Sequence, residues 1–347
     1  MNKRIARMAA LLFHFVLAAA LIGCSNSSQP AAGGNSANAS STEAGKKIIL
    51  KVGHVFSADH AWQKSLEGMA KDVAEATNGM VEIQVFPSSQ LGGDREVAEG
   101  MQLGTIEMGL FGTGALQTLD KRMIVEELPY AWPTREQAYA AVDGKLGEAL
   151  GEVMKEKGLF ALSWWESGYR HITNSKNPIE KSEDLKGLKL RVPDADLRID
   201  TFKELGTLPT PMPLSEVFTS LQQGIVDGQE NPLSTIYSSK FQEVQSHLAL
   251  TGHIWGSAVL AISDKKWGQI PEDYQKVIME KAAIWKEKER EMIRQDDEKL
   301  LAELEQAGMK ITRPDVKEFR EKVQPVWTKY ESVFGKDLID IVRQYSK

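Results

Sequence analysis

Three polar side chains stand where apolar strand patterns of the chain begin or end. Arg191 follows the run "LKL" and precedes Val-Pro, and Asn231 closes the polar stretch "GQEN" before a proline. Arg170, in "ESGYRHITNS", begins another strand pattern. An arginine offers a planar fork that matches both oxygens of a carboxylate, and a side-chain amide can donate to the same oxygens. The chemistry that these residues could perform together is the binding of an organic acid.

Each of these residues also has a simpler interpretation. The stretch "GIVDGQENP", residues 224–232, could be a surface turn. A lone arginine is often part of a surface salt bridge that contributes little to stability, and this interpretation suits Arg170. The apolar residues on both sides of Arg191 favour a buried, functional charge instead.

The elements that would position these side chains alternate between strand and helix patterns. "KIILKVGHV" and "MVEIQVF" predict strands, and the amphipathic helix between them stops at Asn78-Gly79. The pattern restarts near Gly168, and a long helical tract runs from Pro271 to about Ala307. The alternation predicts an α/β fold with mostly parallel strands, in which ligands bind beyond the strand ends. The long helix would be about 50 Å in length. We expect it to run across both parts of the pattern, the one before Gly168 and the one after it.

The N-terminal segment predicts a lipid anchor rather than part of the fold. A basic start, residues 3–7, precedes an apolar stretch, residues 8–22, that is too short for a comfortable membrane span. "LIGC" ends at Cys24 and resembles the lipobox of bacterial lipoproteins, whose cysteine is lipidated. A buried core cysteine is the alternative. The polar residues 25–45 predict a flexible tether with a reach of about 25 Å.

Composition and motifs argue against several other classes of protein. Of the 347 residues, 42% are hydrophobic, which suits two domains or one large α/β unit. The net charge of −6 argues against a nucleic-acid binder, and the single cysteine excludes an internal disulfide. The six histidines show no metal-ligand spacing, and neither a complete nucleotide-binding motif nor a GxSxG elbow is present. We therefore expect no enzyme activity, no cofactor and no metal site.

Longer motifs resemble one family. "GLKLRVP" at 187–193 and "PTPMPLSEVFTSLQQGIVDGQENPLS" at 209–234 resemble the extracytoplasmic solute-binding proteins of TRAP transporters, the DctP-type family. "VEIQVFPSSQLGGDRE", "ELPY" and "TGH" are similar to the same family, so the resemblance covers the chain from about Lys46 onward. It implies a two-lobed, periplasmic-binding-protein-like fold whose cleft closes on an organic acid anion.

The resemblance also implies the contacts in the cleft. Arg191 would clamp the ligand carboxylate, Asn231 would assist it, and Arg170 would be a second basic contact. Further substrate contacts are expected at Leu214, Asp194 and Phe111. Phe111-Gly112 replaces an acidic contact of sialate-binding members, which argues against sialate. Arg170, in place of a lysine, favours a hydroxylated or sugar acid over a simple C4-dicarboxylate.

The predicted organisation follows from these patterns. The segments are a lipoprotein signal peptide at 1–24, a tether at 25–45, lobe I at 46–168 plus about 257–297, and lobe II at 169–256 plus about 298–347. The predicted function is the capture of a C4-dicarboxylate or sugar acid outside the cytoplasmic membrane. The protein would deliver this anion to the small and large membrane subunits of a TRAP permease. The alternative is the solute receptor of an ABC-type importer, which shares the lipobox and the two lobes.

The anchor leads to the first prediction. Cys24→Ala should release the protein from the membrane fraction and abolish palmitate labelling, because the polar tether has no membrane affinity of its own. Cell fractionation with metabolic labelling measures both effects, and Ser25→Ala should leave both unchanged. A labelled, membrane-bound Cys24→Ala protein would contradict the lipobox interpretation.

Overall fold

Strands and helices alternate along the chain, as the sequence predicts for an α/β fold. The structure is a computed structural model, and it describes residues 46–347. The predicted signal peptide (1–24), the tether (25–45) and the predicted lipidation site at Cys24 lie outside the described residues.

Ten strands lie in the described residues and pair into one extended sheet. They are β1 (Ile48–Gly53), β2 (Val81–Phe86), β3 (Met108–Gly112), β4 (Leu159–Asn174), β5 (Lys189–Val192), β6 (Leu208–Pro211), β7 (Gly228–Pro232), β8 (His247–Ala249), β9 (Trp255–Ser263) and β10 (Lys310–Thr312). The order across the sheet is β2-β1-β3-β9-β4-β7-β5-β6, with β8 paired to β4 and β10 to β8.

The direction of the strands differs between the flanks and the centre of this sheet. On the flanks, β1 is parallel to β2 and β3, and β5 is parallel to β6 and β7. In the centre, β3, β9, β4 and β7 are antiparallel neighbours. The predicted parallel pairing is therefore correct for the flanks and wrong for the centre, because the long strands β4 and β9 connect the two halves in opposite directions.

Twelve α-helices accompany the strands in this part of the chain. They are α1 (Ala61–Ala76), α2 (Asp94–Leu103), α3 (Arg135–Val142), α4 (Lys145–Glu156), α5 (Asp196–Glu204), α6 (Leu214–Gln222), α7 (Leu233–Ser238), α8 (Asp264–Trp267), α9 (Glu272–Gln306), α10 (Lys317–Lys322), α11 (Gln324–Phe334) and α12 (Lys336–Tyr345). Four 3₁₀ helices cover Thr113–Thr118, Lys121–Glu127, Ser182–Leu185 and Phe241–Glu243.

The long helix α9 contacts both halves of the sheet. Its 35 residues span about 50 Å, and Pro271 is its N-cap, as the sequence predicts. It packs against α1 and β4 along its length and against α7 in the other half. Near its end, Leu300 and Leu304 join an apolar cluster with residues of α6, α7 and β8. The prediction of a long helix is confirmed.

The C-terminal helices contact elements from both predicted lobes. The helix α11 packs against α5, whereas α12 packs against α3 and α4. Phe319, Tyr330 and Val342 from this segment belong to one apolar cluster that also contains residues of α3, α4 and α5. The division into 46–168 plus about 257–297 and 169–256 plus about 298–347 stays a prediction.

The strand β4 joins the two halves of the sheet. It pairs with β9 over its first part and with β7 and β8 over its last part. A register shift between Glu166 and Gly168 interrupts its pairing with β9, as a β-bulge does. Gly168 has a φ of +107° and lies opposite Gly256. A residue with a Cβ atom rarely adopts this backbone conformation.

This pair of glycines provides a test with its own control. Gly168→Ala should lower the free energy of unfolding by about 1–3 kcal/mol, because alanine would be held in a disfavoured conformation. A Cβ at Gly256 would meet the Cβ of Ser167 at 3.5 Å, an ordinary contact, so Gly256→Ala should change stability by less. Urea denaturation measures both, and equal stability of the two variants would contradict the conformational argument.

Candidate ligand-binding site

A cavity of about 300 Å³ is lined by residues from both halves of the sheet and the loops that follow them. Its apolar lining includes Phe56, Trp62 and Met212. The charged residues that line it are Asp94, Arg95, Glu96, Glu127, Arg170, Arg191, Asp194 and Arg198. Such a combination of apolar walls and a few convergent charged groups is typical of sites for small polar ligands.

Arg191 lies on β5 and is buried at the cavity wall. Its Nε and Nη2 atoms donate to the carbonyl oxygen of Met212 at 3.0 and 2.6 Å. Within residues 46–347, no carboxylate oxygen lies within 4.0 Å of its guanidinium. Burial, together with the positive charges of Arg170 and Arg198, lowers the pKa of Arg191 to about 9. The cavity therefore contains a buried cation whose charge no neighbouring carboxylate balances directly.

The other two buried arginines at the cavity have carboxylate partners. Arg170 Nε donates to Glu230 at 2.5 Å, and Arg198 Nη1 donates to the same carboxylate at 3.0 Å. Arg198 also donates through Nη2 to Glu127 at 2.5 Å. His253 Nε2 lies 3.1 Å from Glu230. Although burial opposes it, the positive charges of Arg170 and Arg198 hold the pKa of Glu230 well below its ordinary value.

The polar stretch "GQENP" is itself the strand β7. The interpretation of residues 224–232 as a surface turn is therefore wrong for β7, whereas Ile225 just before it is 54% exposed and lies outside any strand. The side chains of β7 are buried and partnered: Gln229 donates to Thr173, and Asn231 Nδ2 donates to Gln229 at 2.5 Å. Asn231 Oδ1 accepts from Arg170. Mutual hydrogen bonding is what allows a polar strand to be buried.

The structure brings five of the six predicted substrate contacts to the cavity. These are Arg170, Arg191, Asp194, Leu214 and Asn231. The sixth predicted contact, Phe111, lies on β3 with its side chain fully buried in the core. The next residue, Gly112, lines the cavity. The structure therefore does not bring the Phe111 side chain to the site, because alternate residues of a strand point to opposite faces.

Two functional candidates were not identified from the sequence, Arg198 and Asp94. Arg198 lies on the buried face of α5, with Thr201 and Phe202 buried three and four residues later. A charged residue on an otherwise buried helix face was the available signal. Asp94 begins α2, lines the cavity, and its buried Oδ1 atom has no hydrogen-bond partner in the described residues. Burial, and then the charge of Glu96, raises the pKa of Asp94 to about 7.

Contacts between two segments that are distant in sequence lie beside the cavity. Gln117, in the 3₁₀ helix Thr113–Thr118, donates through Nε2 to the carbonyl oxygen of Asp194. The backbone N–H of Asp196 donates back to Gln117 Oε1 at 3.0 Å. Lys121 and Asp196 form a salt bridge of 2.6 Å beside them. These contacts hold the loop after β5 against the other side of the cavity.

Comparison with known proteins decides the family. Residues 52–333 match the family described as bacterial extracellular solute-binding protein, family 7, or DctP. The chain belongs to this family. The predicted DctP-type family is thereby confirmed, and so is the prediction of a solute-binding protein rather than an enzyme. The extracytoplasmic location of this family 7 protein follows from the family.

Individual relatives agree with this assignment. A solute-binding protein of Verminephrobacter eiseniae is 36% identical over 280 residues, which are 80% of this chain and 84% of that protein. A TRAP periplasmic solute-binding protein of Polaromonas sp. JS666 bound to D-erythronate has a TM-score of 0.83 and 37% identity, covering 86% of this chain and 98% of that one. The sugar-acid-binding protein DctPAm of Advenella mimigardefordensis, in complex with galactonate, has a TM-score of 0.84 and 33% identity, covering 87% and 98%. These similarities confirm the two-lobed α/β fold.

The described helices differ from membrane-spanning helices. Among residues 46–347, no helix combines the length and the apolar character needed to cross a membrane. Even α9, the longest helix of this region, is rich in Glu, Lys and Arg.

Glu126 lies beside the cavity wall and is fully buried. Its Oε1 atom accepts from the hydroxyls of Thr113 and Ser257, and its Oε2 atom has no partner in the described residues. Burial, and then the negative charge of Glu127, raises the pKa of Glu126 to about 8. The protonated form is therefore the stable one in the folded protein at neutral pH.

Glu126 predicts a pH-dependent difference in stability. An unfolded glutamate has a pKa of about 4.3, so between about pH 5 and 8 the folded state holds a proton that the unfolded state has released. This group therefore makes the folded protein less stable as pH rises through that window. Glu126→Gln resembles the protonated form and should remove the effect, so its stability relative to wild type should increase from pH 5 to pH 9. Urea denaturation at several pH values measures this, and parallel curves for the two proteins would contradict it.

Proposed function

We propose that this family 7 protein binds a small organic acid in the cavity, with Arg191 pairing with the ligand carboxylate. One observation supports this choice of residue. Four arginines are buried in the described part of the chain. Arg170, Arg198 and Arg290 each have a carboxylate partner, and Arg191 has none.

A charge that is buried without a partner raises the free energy of the folded protein. An arginine removed from water without a counter-charge destabilises the structure, and an anion that binds beside it relieves that cost. The guanidinium has five N–H donors, and two of its nitrogens are engaged with Met212. Enough donors remain for both oxygens of a carboxylate, the geometry that arginine binds best. The ligands of the two solved relatives, D-erythronate and galactonate, are also carboxylates.

Asn231 and Arg170 would support this contact from the same wall. The amide of Asn231 has two donor hydrogens, and one hydrogen bond from Nδ2 goes to Gln229. A second hydrogen is available to a carboxylate oxygen. Arg170 is neutralised by Glu230, so its contribution is a directed hydrogen bond more than a net charge.

The proposal extends to transport. The protein would be held at the outer face of the membrane by lipidated Cys24 and its tether. It would deliver the anion to the small and large membrane subunits of a TRAP permease. The receptor of an ABC-type importer remains the alternative, and the family match favours the permease. A gene neighbourhood that encodes membrane subunits without an ATPase would support the first assignment.

The central test is the substitution of Arg191. Arg191→Lys should weaken binding substantially although the net charge is unchanged, because lysine provides a point charge rather than a planar fork. Arg191→Ala should cost more, about 2–5 kcal/mol, because the anion loses its counter-charge. Asn231→Ala removes one donor to a charged group and should cost less, about 1.5–3 kcal/mol. Calorimetry with a panel of carboxylic acids measures the binding.

The control is the same substitution at an exposed position. Arg294, on α9, pairs with Glu291 and lies outside the cavity, so Arg294→Lys should bind as wild type does. Unfolding experiments on all variants verify that each is folded. If Arg191→Lys binds as tightly as wild type, the carboxylate contact lies elsewhere.

A further inference from the structure

Two aromatic side chains, Phe56 and Trp62, form part of the apolar wall of the cavity. Phe56 follows β1, and Trp62 lies in the first turn of α1. Their rings meet edge to face, with centroids 4.6 Å apart and an angle of 72° between the planes. Trp62 is also held at the far end of its ring, because Nε1 donates to the backbone carbonyl of Glu166 at 2.8 Å. The shape of this wall therefore depends on how the short segment between β1 and α1 is fixed.

His60, in that segment, contacts both aromatic residues. Its ring stacks on Phe56, with centroids 4.2 Å apart and planes 17° apart, and meets the ring of Trp62 edge-on at 5.7 Å. Its Nδ1 atom accepts a hydrogen bond from the backbone N–H of Trp62 at 3.1 Å, which makes His60 the N-cap of α1. The residue is 3% exposed, and it is not one of the described residues that line the cavity. One side chain thus caps the helix and also packs against the ring of Phe56.

Capping alone does not require a histidine at this position. Ser, Thr, Asp and Asn are the preferred N-cap residues, and all of them are smaller. Burial, and then the neighbouring His54 and Lys64, lowers the pKa of His60 to about 3, so the ring is neutral at neutral pH. Because Nδ1 accepts, the ring hydrogen is on Nε2, which is buried without a hydrogen-bond partner among residues 46–347. A smaller cap would avoid this unpaired donor but would lack the flat ring that stacks on Phe56.

We propose that His60 is a positioning residue for ligand binding, which holds the rings of Phe56 and Trp62 in the orientation that forms the apolar wall. This inference rests on the proposed function, because it assumes that the cavity binds the ligand. The backbone of Phe56 is fixed independently, since its carbonyl oxygen accepts from the N–H of Ser88 at 2.7 Å. The stacked imidazole therefore acts on the ring of Phe56, which could otherwise adopt other rotamers. A wall that is not held in place weakens binding, because its side chains must be ordered when the ligand enters.

Two substitutions separate the stacked ring from the helix cap. His60→Asn keeps an N-cap acceptor and removes the ring, whereas His60→Phe keeps a flat ring and removes the acceptor. We expect His60→Asn to weaken ligand binding about 2- to 10-fold, the range that one aromatic pair contributes. His60→Phe should bind within about 2-fold of wild type, although the lost cap should raise its unfolding equilibrium constant about 5-fold. Affinity should therefore follow the ring, whereas a purely structural role predicts that affinity falls with stability in both variants.

Affinity, stability and the state of the wall are measured separately. Calorimetry with D-erythronate and galactonate, the ligands of the two solved relatives, measures affinity, and urea denaturation measures stability. The difference in near-ultraviolet circular dichroism between wild type and Trp62→Phe isolates the signal of Trp62 without any ligand. This difference should shrink when both proteins also carry His60→Asn and persist when both carry His60→Phe. The control is His247→Asn: His247 is a buried histidine on β8 that is not among the described cavity-lining residues, so both affinity and the signal should stay unchanged.

The possible results distinguish this inference from the proposed function. If His60→Asn binds these acids as tightly as wild type does, or leaves the Trp62 signal unchanged, the positioning role is overturned while the carboxylate site stands. If His60→Asn and His60→Phe lose affinity in proportion to their loss of stability, the role of His60 is structural only. If neither these acids nor the rest of the panel bind wild type, the proposed function fails, and the Trp62 signal still decides whether His60 holds the wall.

Discussion

A single buried carboxylate, Glu230, determines the electrostatics of the cavity. It accepts hydrogen bonds from Arg170 and Arg198 and also lies beside His253. Without it, three arginines would face one small cavity and repel one another. With it and Glu127, which pairs with Arg198, two of the three arginines are neutralised, and Arg191 is left as the cation that an anion can reach. Removing one partner of such a buried pair typically costs about 3–5 kcal/mol, because the other charge is left buried without a counter-charge.

Glu230 reaches its partners because of the register between β4 and β7. In this antiparallel pair, Glu230 lies opposite Ile172, and Pro232 lies opposite Arg170. The side chain of Arg170 therefore folds back along β7 and contacts both Glu230 and Asn231. Pro232 has no N–H to continue the ladder, and the chain turns there into α7. The burial of a strand as polar as β7 is possible because its side chains are hydrogen-bonded to neighbours.

The sequence predicted what depends on near neighbours along the chain. The bounds of α9 follow from Pro271 at its start and from Gly308, two residues after its end. The placement of Arg191 and Asn231 follows from their positions near strand ends. Arg198 escaped prediction because its partners Glu127 and Glu230 are 71 and 32 residues away. Phe111 shows the complementary limit. A strand prediction that is shifted by one residue assigns each side chain to the wrong face of the sheet. Phe111 was expected at the cavity, but its side chain lies in the core, and the next residue, Gly112, lines the cavity.

The contacts beside the cavity and the charged groups inside it involve different kinds of atoms. Beside the cavity, Gln117 donates to the backbone carbonyl of Asp194 and accepts from the backbone N–H of Asp196, so this contact does not depend on the side chains at those two positions. Inside, among residues 46–347, Arg191 has no carboxylate partner and Asp94 Oδ1 has no hydrogen-bond partner. Contacts made to backbone atoms can be retained while a few side chains inside the cavity are substituted. Two solved relatives, one bound to D-erythronate and one in complex with galactonate, show that proteins of this fold hold carboxylates of different size.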